Sequence, residues 1–329
     1  VRLLPRLRTL APAAVAAALL AVAAPSPAHA AGSVTAVSTT VDVSCAAFTY
    51  HPDADWYFPS GTPKGLVWLQ HGFARSGAHL GDLAEHYAAA GYLVFVPTLP
   101  SADLFGCTLQ NLGNNKPFLN NVAGWFADST GSTGQLASSY ARAAALAGRG
   151  GSALPSSLLF SGHSAGGEAV AYVAQRLHSA APAAFARLKG LVLLDPVASA
   201  IGDNTTASLT ALAATPLPVR TISSPPYLCN SSASGTTALR DAYADSPFVG
   251  VELTTGSHVD AEGATTDAAG SLACGTSQPQ NVTALQTLAV GWAADAFAGT
   301  TTAAYYPGGA YYRSLLAAGT VTTLSGSGG

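Results

Sequence analysis

Charge is scarce in this chain: only 9% of its 329 residues are Asp, Glu, Lys or Arg, and the formal net charge is −3. Beyond residue 30 no basic patch stands out, which argues against nucleic acid or an anionic membrane surface as a partner, since either would need one. Cysteines are few, namely Cys45, Cys107, Cys229 and Cys274. Their spacing fits neither a zinc ribbon nor a redox Cys-x-x-Cys, and no metal or cofactor is expected. Methionine is absent, alanine is abundant and arginine outnumbers lysine, which suggests a coding sequence rich in G and C.

Long apolar runs are confined to the beginning. Arg2, Arg6 and Arg8 precede the run "APAAVAAALLAVAA", which ends at Pro25 and gives way to small residues at Ala28 and Ala30. Basic, then apolar, then small is the order of a secretory signal, and the run is short for a transmembrane helix. Residues 1–30 are therefore expected to be a signal peptide, with a retained membrane anchor as the alternative. Cleavage after Ala30 removes three arginines and no acids, taking the formal charge from −3 to −6. An even cysteine count in an exported chain favours two disulfides. Of three possible pairings, Cys45–Cys107 and Cys229–Cys274 are expected because each pair falls in one half of the chain. Residues 31–329 are expected to form one domain, secreted and monomeric, since about 300 residues can bury one large core.

Short apolar runs recur through that region: "GLVWLQ" (65–70), "YLVFVP" (92–97), "SLLFSG" (157–162), "GLVLLD" (190–195), "PVRTIS" (218–223) and "FVGVEL" (248–253). They lack in–out alternation, as strands covered on both faces do. Stretches with helical spacing lie at 77–91, 133–149, 166–182 and 280–299, each with Gly or Pro at or next to its end. The alternation predicts an α/β fold with a doubly wound, mostly parallel sheet. One or two antiparallel edge strands are expected within 33–60, and the tail 320–329 is expected to be disordered.

"LLFSGHSAGGEAV" (158–170) runs a strand into a glycine-flanked serine and then a helix. With 34 glycines in the chain, Gly-x-Ser-x-Gly alone is weak, and Ser164 could be an ordinary small residue in a connection. Its place at a strand end opening a helix is where an open α/β sheet binds ligands, and there glycines allow a sharp turn to expose a nucleophile. A serine hydroxyl needs a base, usually a histidine oriented by a carboxylate. Only His178 and His258 follow it. His178 would lie about 20 Å along the next helix, so His258, directly after the last strand, is the expected base. Among Asp195, Asp203, Asp241, Asp245 and Glu252, Asp195 alone ends an apolar strand and is the expected acid, with Asp203 or Asp241 as alternatives. "TISSPPYLCNSSASG", after the next strand, has no carboxylate to compete. The amides of Phe73, in "WLQHGFARSG", and Ala165 are the expected oxyanion donors. Phe73 is also expected to line an acyl pocket and Trp125 to sit at the mouth, although either could be plain packing. His71 reads as a structural hydrogen-bonding residue and Glu168 as a first-turn carboxylate favoured by the helix dipole. Asp260, Glu262 and Asp267 match no calcium-loop spacing.

Taken together, "LQHGFARSGAHLGDLAEHYAAAGYLVFVPTLP", "GHSAGGEA", "LLDPVAS" and "GSHVD" resemble the α/β-hydrolase superfamily over roughly residues 60–300. His-Gly-Phe and the strand-end Asp-Pro-Val are similar to plant chlorophyllases and to secreted bacterial esterases and cutinase-like polyester hydrolases. The resemblance implies Ser164 as nucleophile, His258 as base, Asp195 as acid, and Phe73 and Ala165 as oxyanion donors. Ala165 is smaller than the polar residue chlorophyllases tend to carry there, and "DPVAS" lacks their second Asp, which argues against a chlorophyll substrate. About twenty residues separate Asp195 from the next strand, too few for a large lid. A small-molecule ester of short or medium acyl chain, or a polymeric ester, is the expected substrate. An acyltransferase using the same triad, or a non-catalytic binding module on the same fold, are the alternatives.

Overall fold

Six of the apolar runs become neighbouring strands because each is buried on both faces. The computed structural model describes Val1 and residues 33–110, 112–127, 134–202 and 204–328. The expected signal peptide and Asp203 lie outside the described residues. The strands are β1 (Thr35–Thr40), β2 (Val43–Cys45), β3 (Phe48–Tyr50), β4 (Asp53–Phe58), β5 (Leu66–Gln70), β6 (Leu93–Pro97), β7 (Leu158–His163), β8 (Leu188–Leu194), β9 (Val219–Ser223), β10 (Gly250–Leu253) and β11 (Val321–Leu324). Nine of them form one sheet in the order β1-β4-β6-β5-β7-β8-β9-β10-β11, while β2 and β3 pair separately. The run from β6 to β10 is parallel; β1, β4 and β11 join antiparallel. Every residue of β5, β6 and β7 is buried, which explains the missing alternation.

The helices are α1 (Gly81–Ala89), α2 (Lys116–Ala127), α3 (Gln135–Leu146), α4 (Ala165–Ala180), α5 (Pro182–Phe185), α6 (Asn204–Ala213), α7 (Ser234–Ala242), α8 (Ala268–Cys274), α9 (Pro279–Ala298) and α10 (Ala310–Ala317). One sheet face is covered by α2, α3, α4, α6 and α7 through Phe118, Tyr140, Val173, Leu212 and Leu239. The other is covered by α1, α9 and α10 through Leu83, Leu288 and Tyr312. Each such side chain contributes roughly 1.5–3 kcal/mol by leaving water.

β5 lies between β6 and β7, so the chain leaving β5 turns one way through α1 while the chain leaving β7 turns the other way through α4. That reversal opens a crevice beyond the carboxyl ends of β5 and β7. The region 33–60 supplies two antiparallel strands at the edge of the main sheet, as expected, and a separate hairpin besides. One expectation is corrected. The tail is ordered through residue 328: Val321–Leu324 pairs with β10, and the amides of Gly326 and Gly328 bond to Ser246 and Ala244. Its Gly/Ser/Thr composition masked a strand whose end residues, Val321 and Leu324, are buried.

Both expected disulfides form. Cys45–Cys107 spans 5.8 Å between Cα atoms and Cys229–Cys274 spans 5.6 Å. Among the described residues no helix is long and apolar enough to cross a membrane.

Candidate active site

β7 ends and α4 begins with a single residue between them, and that residue carries the bend. Ser164 has φ 58° and ψ −127°, a conformation costly for a side chain bearing Cβ. Close backbone approach makes the bend feasible: a Cβ on Gly162 would meet the Gly166 carbonyl oxygen at 2.3 Å, and one on Gly166 would meet the Gln70 carbonyl oxygen at 2.4 Å. Any side chain at either position would force β5, β7 and α4 apart. The bend is pinned by the Ser164 amide on the Leu194 carbonyl, 3.0 Å, and by the amides of Gly167 and Val197 on the Ser164 carbonyl.

The turn after β5 closes over the serine. A Cβ on Gly72 would lie 2.5 Å from Ser164 Cβ and 2.9 Å from its Oγ, so only glycine fits there. His71 Nδ1–H donates to the Gly72 carbonyl at 2.8 Å. Because C=O and N–H of one trans peptide point opposite ways, fixing that carbonyl also fixes the Phe73 amide. Burial pushes His71 down to about 4, so it works as a neutral donor. The amides of Phe73 and Ala165 donate to no acceptor among the described residues, and Ala165 is the first residue of α4. Both stay free for an incoming oxygen, and the α4 dipole favours negative charge at that place.

Asp195 directly follows β8 with φ 42° and faces four donors. Its Oδ1 accepts from the Ser224 amide at 3.0 Å and Asn230 Nδ2 at 3.2 Å; its Oδ2 accepts from Ser224 Oγ at 2.5 Å and His258 Nδ1 at 2.6 Å. With Nδ1–H given to Asp195, the neutral imidazole presents Nε2 as an acceptor. Asp195 and His258 are 5% and 7% exposed, so water competes little for their bond. His258 opens a short 3-10 turn after β10. Its amide bonds to Tyr227 Oη, which donates to the Cys274 carbonyl at 3.0 Å; burial pushes the Tyr227 phenol up, so it stays a donor. Beneath it, His163 Nε2–H donates to the His258 carbonyl at 2.8 Å, and the two rings sit 4.5 Å apart. Burial holds His163 well below the ordinary histidine range.

The structure thus brings Asp195 and His258 into contact and sets Ser164 beside the Phe73 turn. Ser164 is bonded along the chain to His163, whose ring rests against His258, and Ser164 Oγ has no hydrogen bond to the imidazole in this state. Catalytic hydrogen bonds commonly tighten only when substrate is present. Phe73 is exposed, whereas Trp125, expected at the mouth, is buried. Trp125 is 3% exposed on α2, donates to the Asp42 carbonyl at 2.8 Å and meets Phe95 edge-on. The apolar face of α2 (Phe118, Val122, Trp125) turned it inward, although its neighbours in sequence read as a loop.

Sequence reasoning missed the groups that hold Asp195 and His258: Ser224, Asn230, Tyr227 and His163. The first three lie in the carboxylate-free "TISSPPYLCNSSASG", whose concentration of hydroxyls and an amide was the available signal. Glu168 is in the first turn of α4, as expected, but it also ties down the segment after Asp195. It accepts from the Ser199 amide at 2.9 Å, Ser199 Oγ at 2.5 Å and Thr205 Oγ1 at 2.5 Å, and burial pushes its carboxyl up.

No family model matches the chain, and no match is found among curated proteins.

Proposed function

We propose that this protein is an exported carboxylic ester hydrolase of the α/β-hydrolase superfamily, acting through Ser164, His258 and Asp195. The single observation that carries the reading is the buried 2.6 Å bond from His258 Nδ1 to Asp195 Oδ2 at the same end of the sheet as the strained Ser164. A mere structural histidine has no need of a serine in an unfavourable conformation beside two unpaired amides.

In this reading Ser164 Oγ attacks the ester carbonyl carbon while His258 Nε2 takes its proton. The carbonyl oxygen becomes an oxyanion held by the amides of Phe73 and Ala165. The C–O bond to the alcohol then breaks, His258 returns the proton to the leaving oxygen, and an acyl-serine is left. Water repeats the sequence, releasing the acid and restoring the serine. Asp195 holds the imidazole in the required tautomer throughout.

Substrate class is suggested by what surrounds the crevice. Phe73, Leu104, Phe105, Ile201, Leu228 and Leu272 are all exposed, and each follows the carboxyl end of a parallel strand. Among the described residues the β8–β9 connection holds only α6, too little for a large lid at that place. Exposed apolar side chains in these connections suit short or medium acyl esters, or a polymer chain laid across them. Two disulfides fit an oxidising, extracellular setting.

The test is release of 4-nitrophenol from esters of increasing chain length, alongside an aromatic and an aliphatic polyester film. Ser164→Ala is expected to lower turnover by at least about 10⁴-fold without unfolding the protein. Equal turnover by the folded variant would refute the assignment.

A further inference from the structure

Two chain segments approach Ser164 from opposite sides, and no strand pairing sets the distance between them. The turn carrying the Phe73 amide leaves β5; the turn carrying His258 leaves β10; β7, β8 and β9 intervene. Four strand spacings put their roots roughly 19 Å apart. Both must therefore lean inward over the sheet. A side-chain bridge joins them: Arg75 Nε donates to Glu262 Oε1 at 2.7 Å and Nη2 to Glu262 Oε2 at 2.5 Å. Arg75 lies two residues beyond Phe73, and Glu262 lies four beyond His258. Glu262 is 1% exposed, so the fork is shielded from water and held in one geometry.

A second carboxylate completes the bridge. Arg75 Nη1 donates to Asp267 Oδ1 at 3.0 Å. His79 Nδ1 accepts the Ser76 amide at 3.1 Å, which leaves Nε2–H to donate to Asp267 Oδ2 at 3.2 Å. Asp267 also caps α8 through the Gly270 amide at 2.7 Å. That amide and the Arg75 guanidinium hold its carboxyl well below the ordinary range. Against the opposing effect of burial, the two acids push Arg75 up. Other ties between these regions, such as Thr265 Oγ1 to the His79 carbonyl, lie further along the chain from Phe73 and His258.

We propose that Arg75 and Glu262 form a positioning clamp that sets the spacing between the oxyanion donor and the general base. The inference rests on the esterase reading of the site. A carboxylate fork suits the task because it fixes two bonds in one plane, which a lysine could not reproduce. The pair touches no reacting atom; it acts through Phe73 and His258.

The experiment compares wild type with Glu262→Gln, Arg75→Lys and the double variant on 4-nitrophenyl acetate, with thermal melting of each. Phenylboronic acid is the second probe, since its tetrahedral serine adduct uses the oxyanion donors. Misplacement by about 1 Å is expected to lower kcat about 10- to 100-fold, with KM little changed and boronate inhibition weakened in step. The double variant should be no worse than the poorer single one, because the two residues act as a unit. A folded variant that keeps kcat, or loses it while boronate affinity stays intact, would overturn the clamp. Should Glu262→Gln fail to fold, Asp267→Asn decides: removal of the outer arm should lower kcat several-fold, and an unchanged kcat overturns the proposal. A wild type that hydrolyses no ester defeats the site reading and the clamp with it. An active wild type with intact kcat in a folded variant defeats the clamp alone.

Discussion

The two disulfides close loops of similar size, 62 and 45 residues apart in sequence, yet they serve different regions. Cys45–Cys107 ties the β2–β3 hairpin, on the antiparallel edge, to the loop after β6. Cys229–Cys274 ties the turn after β9 to the end of α8. Cys229 adjoins Asn230, a donor to Asp195, and the Cys274 carbonyl accepts from Tyr227, whose hydroxyl meets the His258 amide. By loop-closure entropy each is worth about 4 kcal/mol, nearly the same. Equal staples can therefore hold the fold in one place and a candidate site in another; the second connects the supports of Asp195 to the supports of His258.

The comparison can be broken by asking which region carries activity. Asp195→Asn should have the largest effect, on the order of 10⁴ in kcat, as a disturbed histidine tautomer costs in other serine hydrolases. Melting temperature should move far less than activity. If Asp241→Asn produces that loss instead, the acid lies elsewhere.

Removing the disulfides in turn sharpens the contrast. Cys229→Ser with Cys274→Ser should lower kcat roughly tenfold or more, since small displacements of catalytic groups are costly. Cys45→Ser with Cys107→Ser should leave kcat nearly intact. Both pairs should lower the melting temperature comparably, by about 10 °C. Loss of kcat from both pairs, or from neither, would erase the distinction.

Acid gives the smallest effect. His71 and His163, both at the site, are buried and held below the ordinary histidine value, His71 to about 4. The unfolded chain takes up protons near pH 6.5 that the folded one refuses. Their stability contribution is thus present above that pH and lost as pH falls toward 4. For His71 alone the loss is on the order of 3 kcal/mol. Glu168 and Asp260, raised by burial, act in the opposite sense. Hydrogen exchange should show the turns at 71–76 and 257–262 loosening between pH 6.5 and 4 while the β2–β3 hairpin holds. His71→Gln should flatten the fall in melting temperature, and an equal fall in the variant would assign it to other groups.

The same division separates what could be read in the sequence from what could not. β5 to β10, and the strand-end places of Ser164, Asp195 and His258, were legible because buried parallel strands are unbroken apolar runs and each of these residues stands at or just past the end of one. Ser224, Asn230 and Arg75 were not, because their roles depend on loops folding back across several strands, and no local period records that. Trp125 was misplaced by a polar loop signal next to an amphipathic helix. The tail was misjudged because a four-residue strand at a sheet edge owes its order to its partner rather than to its own composition.

β11 covers the open edge of β10, the strand that delivers His258, and it is synthesised after every candidate catalytic residue. A message cut short before Val321 would encode every candidate catalytic residue and still leave a bare backbone edge, free to pair with the same edge of another molecule. Such a product would be expected in inclusion bodies, with Ser164, Asp195 and His258 all present and none of them usable.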